Sequence, residues 1–152
     1  MTTDLTYSRI LSEDDSDISR LLEIYQQPAI SRFLSISDNY FHYVTNTVNV
    51  YFYKVYASEK LIGTIHLEKC EDLLYMDILI FPEYQRMGFA TSVVGDIQND
   101  VFGLKFHRIE IAIDESNAAS IKLFDRAGFS FVSKEDELLN YVYAHTHGSE
   151  GK

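Results

Sequence analysis

The sequence predicts an α/β fold built around one mixed sheet. Three observations carry that reading. "LLYMDILIF", Leu73 to Phe81, is nearly continuous in apolar residues, as a central strand covered on both faces would be. "HRIEIAI" alternates, setting Ile109, Ile111 and Ile113 on one face of a half-buried strand. Around them, apolar residues recur at helical spacing, with Ile18, Leu21, Leu22 and Tyr25 in one stretch and Ala90, Val93, Val94, Ile97 and Val101 in another.

The chain of 152 residues fits one domain. A domain of this size buries about 68–70% of the surface its unfolded chain exposes, enough for a core without staples. With 11 Tyr, 10 Phe and no Trp, that core is built on Phe and Tyr, and the Tyr hydroxyls need partners.

Taken in order, the elements begin with a strand near Thr6–Leu11. "SEDDSDISRLLEIY" then sets acids and cap-forming residues before a helix. Glu13, Asp14, Asp15 and Asp17 serve either the helix N-terminus, where the macrodipole favours negative charge, or a cation site. Pro28 breaks this helix. "AISRFLSISDNYFHYVTNTV" is irregular at first and helical from Asp38. Strands Val50–Ser58 and Leu61–Lys69 follow, joined by a tight turn at Glu59-Lys60. After the apolar strand a helix runs from about Gly88 to Phe102, with Gly103 as its stop. The alternating strand leads into a helix over Asn117–Ala127 that stops at Gly128. "FSFVS" and "LLNYVYAH" close the chain as two strands.

Charge and cysteine content narrow the function. A formal net charge of −10 argues against nucleic acid, which needs a basic track, and against an anionic membrane surface. It fits an amine-bearing partner, or simply solubility. Cys70 is the only cysteine, which excludes an internal disulfide, and it reads as a small buried hydrophobe. The N-terminus lacks the basic start and apolar run of a signal peptide, so the cytoplasm is the expected compartment.

The chemistry concentrates in "FPEYQRMGFATSV", Phe81 to Val93, a strand end running into a helix start. A helix N-terminus has unpaired N–H groups and a positive partial charge, so phosphate oxygens bind there without a basic surface. Residues Arg86 to Thr91 present successive backbone amides. Gly88 and the small Ala90 permit close approach, Arg86 adds a cation and Thr91 a hydroxyl. No Gly-Lys-Ser/Thr follows, so this is no nucleotide P-loop, and the further glycines of a dinucleotide fingerprint are missing. A second motif, "ESNAASIKLFDRAGF", holds Asn117 at a helix N-cap and Phe124 seven residues on. At about 100° per residue the two share a face, about 10 Å apart along the axis.

Together, "QRMGFA" after an apolar strand and "NAASIKLFDRAGF" resemble the two signature motifs of the GCN5-related N-acetyltransferase superfamily. The resemblance spans the chain and is specific from about Tyr75 to Val132, with a tone nearest the ribosomal-protein alanine and polyamine acetyltransferase branches. It implies a mixed, mostly antiparallel sheet of about seven strands flanked by about four helices. It also implies an acetyltransferase domain over residues 1–147, followed by a polar tail, 148–152. Acetyl-CoA is then the implied co-substrate, with an amine-bearing small molecule or peptide as acceptor; room is left for a homodimer.

Residue by residue, the resemblance places the CoA pyrophosphate on the amides of Arg86, Met87, Gly88, Phe89, Ala90 and Thr91, in the motif that Gln85 opens. The pantetheine arm pairs with the backbone of Ile78, Leu79 and Ile80, one of whose N–H groups polarises the thioester carbonyl. Asn117, with Ser120 on the same helix, hydrogen-bonds the arm. Phe124 stands near the thioester sulfur, where the family often has a Tyr acid. Ala112 stands where some relatives carry a Glu base. These two departures open an alternative: an acyl-CoA-binding module or sensor with weak or lost turnover.

Replacement groups exist. Asp77 is the charge within the apolar strand and either acts as base or satisfies a backbone group. His66 and Glu68 share a strand face, as do Tyr141 and Tyr143. His145 and His147 have metal-compatible spacing without a third ligand, so no metal is expected. Phe33, Tyr40, Phe41 and Tyr43 suggest an aromatic-lined acceptor mouth.

Overall fold

The computed structural model of the protein describes residues 4–145. Its elements run β1 (Leu5–Arg9), α1 (Ile18–Tyr25), α2 (Pro28–Ser31), α3 (Tyr40–Asn46), β2 (Val50–Ala57), β3 (Lys60–Cys70), β4 (Leu73–Ile80), α4 (Phe89–Gln98), β5 (Arg108–Asp114), α5 (Ala118–Arg126), β6 (Ser130–Glu135) and β7 (Leu138–Ala144), with a 3₁₀ turn at Pro82–Tyr84. The strands form one seven-stranded sheet in the order β1-β2-β3-β4-β5-β7-β6. It is mixed: β4 and β5 run parallel, while β1–β2, β5–β7 and β6–β7 run antiparallel. No helix among the described residues is long and apolar enough to cross a membrane. The expected tail, 148–152, and His147 lie outside the described residues.

The elements divide between two units. One holds the residues up to His66 together with Ile78–Gln85; the other holds Leu67–Asp77 and the residues from Arg86 on.

In the first unit, β1 and β2 pair from Leu5↔Ala57 to Arg9↔Tyr53. Its core gathers Leu21 and Tyr25 of α1, Phe41 of α3, Phe52 of β2, Leu61 of β3, and Leu79 with Phe81. A fully buried Leu21 or Phe52 contributes about 1.5–3 kcal/mol each relative to exposure. Pro28 does more than end a helix. Gln27 before it is extended (ψ 136°), as a residue preceding proline prefers, and Pro28 then opens α2 at its first position. Three helices therefore precede β2 where two are expected. The tight turn falls at Ser58-Glu59 rather than Glu59-Lys60, both residues taking positive φ (50° and 71°), the geometry of a type I′ hairpin.

Two of the acids ahead of α1, Asp15 and Asp17, meet a cation from within the chain, not a helix N-terminus. Asp17 is the N-cap of α1, yet its side chain makes no cap hydrogen bond. Instead the ammonium of Lys54, on β2, donates to both Asp15 oxygens (3.1 and 3.0 Å) and to Asp17 Oδ2 (2.9 Å). Lys54 is only 7% exposed. Burial alone would lower its pKa, but the hydrogen bonds it donates to Asp17 and Asp15 outweigh it and hold the ammonium well above its ordinary value. The hydrogen bond from Lys54 likewise lowers Asp17 below 3.8.

In the second unit, Leu73, Leu74 and Tyr75 pair in parallel with Arg108, Ile109 and Glu110. Ile109, Ile111 and Ile113 are all buried, as the alternation predicts. Helix α4 buries Val93, Val94 and Ile97 but stops at Gln98. Asp100 (φ 54°) turns the chain and its carboxylate accepts from the amides of Leu104 and Lys105 (2.8 and 2.9 Å), so Val101 leaves the expected stripe and is exposed. Cys70 is also exposed, not buried. It is the last residue of β3, before a turn through Glu71 (φ 56°), where the strand has run past its cover.

Candidate active site

The passage from β4 to α4 is built with unusual backbone. Gln85 closes the 3₁₀ turn, and its side-chain amide donates to the carbonyl of Ile80 (2.8 Å), pinning the strand's last residue. Arg86 follows at φ 67° and Gly88 at φ 84°. A left-handed Arg costs roughly 1–2 kcal/mol, strain that functional loops retain. Gln85, before Arg86, is extended (ψ 159°), so the chain turns from strand into helix within three residues. A Cβ on Gly88 would meet nothing within 4 Å, so the glycine is there for its φ rather than for want of room.

Helix α4 has Gly88 as N-cap, no side-chain cap hydrogen bond and no acid in its first turn. The first intrahelical donor to Gly88 is the amide of Ser92 (3.2 Å). The amides of Phe89, Ala90 and Thr91 thus lack intrahelical acceptors and lie at the positive end of the helix dipole, an environment that fits a diphosphate. Arg86, Met87 and Thr91 are exposed around them.

The end of β4 is held from its neighbour. The amide of Phe81 donates to Ile62 O (2.9 Å). At Gly63 a Cβ would lie 2.2 Å from Leu79 O, so only glycine admits this approach. Leu79 and Ile80 are buried and Ile78 half-buried. The aromatic segment of the same unit supplies α3, whose Tyr40 hydroxyl is hydrogen-bonded to His66 Nδ1. Tyr43 stacks on the same imidazole at 6.5 Å and 21°.

On α5, Asn117 is the N-cap, its Oδ1 accepting from the amide of Ser120 (3.2 Å). The cap uses the oxygen; the carboxamide N–H groups are not part of it. Phe124 is 2% exposed and packs edge-on against Phe129 (5.1 Å). Its ring is core, and shares no open face with the half-buried Asn117. Asp77 is exposed on β4, and Ala112 is exposed on β5 opposite Asn140. Tyr141 is buried against Phe131, and Tyr143 lies against Phe129 and His145. His145 packs on Phe106 (4.9 Å). Among the described residues no three His, Cys, Asp or Glu side chains gather as a metal site. An open depression of about 670 Å³ is lined by Asp4, Thr6, Tyr56, Ser58 and Glu59, none of which belongs to the motifs.

Sequence reasoning passed over two arrangements. It set His66 beside Glu68 on one strand face and Tyr40 in an aromatic mouth without joining them. It also gave Gln85 no task beyond the motif, though a Gln opening a strand–helix turn can hold the strand's carbonyl.

The sequence model of the acetyltransferase (GNAT) family matches residues 18–129. The chain belongs to that family. As a GNAT member it is an acetyltransferase, with acetyl-CoA as the family's acetyl donor. Solved structures agree on the fold. A domain from Methanocaldococcus jannaschii has a TM-score of 0.81 at 18% identity, covering 95% of this chain and 100% of that one. Spermidine N-acetyltransferase from Vibrio cholerae, solved with CoA and spermine, has 0.77 at 15%, covering 92% and 95%. The ribosomal-protein-S18-alanine N-acetyltransferase from Escherichia coli has 0.72 at 16%, covering 93% and 94%. The comparison with curated proteins returns no match.

Proposed function

We propose that this GNAT protein transfers the acetyl group of acetyl-CoA to a primary amine, by direct attack within a ternary complex. The acceptor is a protein N-terminus, a polyamine or another small amine. The observation that carries this reading is the start of α4: uncapped amides behind a left-handed Arg86 and Gly88, with no acid in the first turn. That arrangement suits an anion in a chain of net charge −10, because backbone rather than a basic surface holds it. An acidic surface in turn favours a cationic acceptor, and a fold-level neighbour solved with spermine lends support to a polyamine.

Within this reading Arg86, Met87, Gly88, Phe89, Ala90 and Thr91 bind the pyrophosphate. The backbone of Ile78, Leu79 and Ile80 pairs with the pantetheine arm, and one N–H of that strand polarises the carbonyl. Gln85 keeps the strand end in place; Asn117 and Ser120 steady the arm. Asp77, exposed on β4, is a candidate base. The amine nitrogen bonds to the thioester carbon, the C–S bond breaks, and the proton shed by nitrogen ends on the CoA thiol.

Incubation with acetyl-CoA and a panel of peptide N-termini, polyamines, amino acids and aminoglycosides tests it, free CoA thiol being the readout. Release with at least one amine, and none without amine, is expected. A second reading has its own observation, Phe124 in place of a Tyr acid: a module that binds acyl-CoA with weak turnover. Calorimetry then detects acetyl-CoA while no amine releases thiol, and Phe124→Tyr raises turnover by about 100-fold, the worth of a general acid. Under the first reading kcat barely changes in that variant. Its melting temperature falls in both cases, since an unpartnered hydroxyl at a 2% exposed position costs about 1–3 kcal/mol.

A further inference from the structure

We propose that Tyr40 and His66 form the proton acceptor for the incoming amine. This rests on the acetyltransfer reading above and names a group for the step at which Ala112 stands in place of the Glu base of some relatives.

The geometry that points there lies within one unit. The Tyr40 hydroxyl meets His66 Nδ1. The Tyr40 ring is held edge-on by Tyr25 (6.3 Å), Phe41 (5.1 Å) and Phe52 (5.8 Å). Tyr25 is itself fixed by a buried hydrogen bond to Thr64 Oγ1 (2.8 Å), two residues before His66 on β3. The imidazole is further held between Tyr40 (5.5 Å) and Tyr43. Such support on several sides goes beyond what one surface histidine needs, and it is what a positioned proton carrier requires. Tyr40 and His66 are both half-buried, so protons can still pass between the pair and solvent.

His66 lies on β3, the strand whose Gly63 presses onto β4 at Leu79. Tyr40 packs against the cluster that contains Leu79. Gly63, pressed onto Leu79 O, is three residues from His66, about 10 Å along a strand at about 3.3 Å per residue. In the proposed step an amine nitrogen attacking beside Ile78–Ile80 gives its proton to this pair, directly or through one water.

The step balances. As the amine nitrogen bonds to the acetyl carbon and the C–S bond breaks, the nitrogen's proton passes to Tyr40 Oη while the Tyr40 proton passes to His66 Nδ1. The imidazolium then releases that proton, and the thiolate takes one up to become thiol. The titratable groups disposed about His66 are Tyr40 and Tyr43 of α3 and Glu68 on its own strand. On the adjoining strands those not buried are Tyr75 and Asp77 of β4 and Tyr51, Tyr53 and Tyr56 of β2.

The test measures kcat and KM against pH for wild type, His66→Gln and Tyr40→Phe, using whichever panel amine turns over fastest, with the acetyl-CoA Kd from calorimetry. Both variants should lose about 100-fold in kcat near neutral pH, recover as pH rises and the amine loses its proton unaided, and keep the wild-type Kd. Tyr40→Phe retains the packed ring, so it decides the matter alone if His66→Gln fails to fold. Unimpaired kcat in an active protein overturns the pair. So does a loss by one constant factor at every pH, or a Kd weakened in step with kcat, since either marks a structural role. Wild type inert toward every amine overturns the acetyltransfer reading and the pair together.

Discussion

Lys54 is a charge taken almost wholly out of water and returned to balance by two carboxylates, Asp15 and Asp17, both within about a hydrogen bond's reach of the ammonium. Removing one member of such a group leaves the others uncompensated. Lys54→Met should therefore cost about 3 kcal/mol in urea unfolding near pH 7. The pH dependence follows from the directions of the shifts. Asp17 sits below 3.8 in the folded chain, so its contribution is present above that pH and is lost as pH falls through the folded value. Lys54 sits above 10.5, so its contribution is present below that pH and is lost only as pH rises further. The gap between wild type and Lys54→Met should be flat between about pH 5 and 10 and close on the acid side; a gap that widens in acid would refute the assignment. None of this could be read from the acidic run itself. Its partner is 39 residues away, as Tyr40 is 26 residues from His66, and periodicity reports neighbours on one element rather than pairs across the fold.

Helix α4 shows how an element can be kept deliberately weak at one end. Its first turn lacks a side-chain cap and an acid, either of which would stabilise the helix. Thr91→Glu supplies both charge and reach from an exposed position in that turn. The variant without ligand should gain about 0.3–1 kcal/mol, seen as a small rise in melting temperature. Acetyl-CoA should bind at least about tenfold more weakly, because the carboxylate now competes for the same amides. A variant that gains stability and keeps its affinity would remove the pyrophosphate from this end of the helix. The element was readable because its signals are local: a nearly continuous apolar strand, a glycine at the join, an apolar stripe after it; that strand is not covered on both faces, however, since Tyr75 and Asp77 are exposed. Its true end was not, because Asp100 turns the chain by capping amides four and five residues on, a contact that the apolar Val101 disguises. Cys70 was misplaced for a related reason, since alternation says nothing about where a strand outruns its cover.

If the acceptor is a polyamine, as proposed above, the net charge of −10 acts on it and on acetyl-CoA in opposite senses. A polyamine is drawn toward the protein and a CoA derivative is repelled by it, while the amides at the start of α4 act over contact distance only. Salt separates these ranges. The screening length falls from about 30 Å at 0.01 M ionic strength to about 8 Å at 0.15 M, which removes the long-range field and leaves the amide contacts in place. Between those conditions KM for a polyamine should rise several-fold, KM for acetyl-CoA should fall or hold, and kcat should be steady. An uncharged-side-chain acceptor such as a peptide N-terminus, with one positive charge, should respond less than a polyamine with several. The measurement is a pair of saturation curves at each salt concentration. If KM for acetyl-CoA climbed with salt as the polyamine's does, the cofactor would be held by basic side chains after all, and the backbone account of Arg86 to Thr91 would fail.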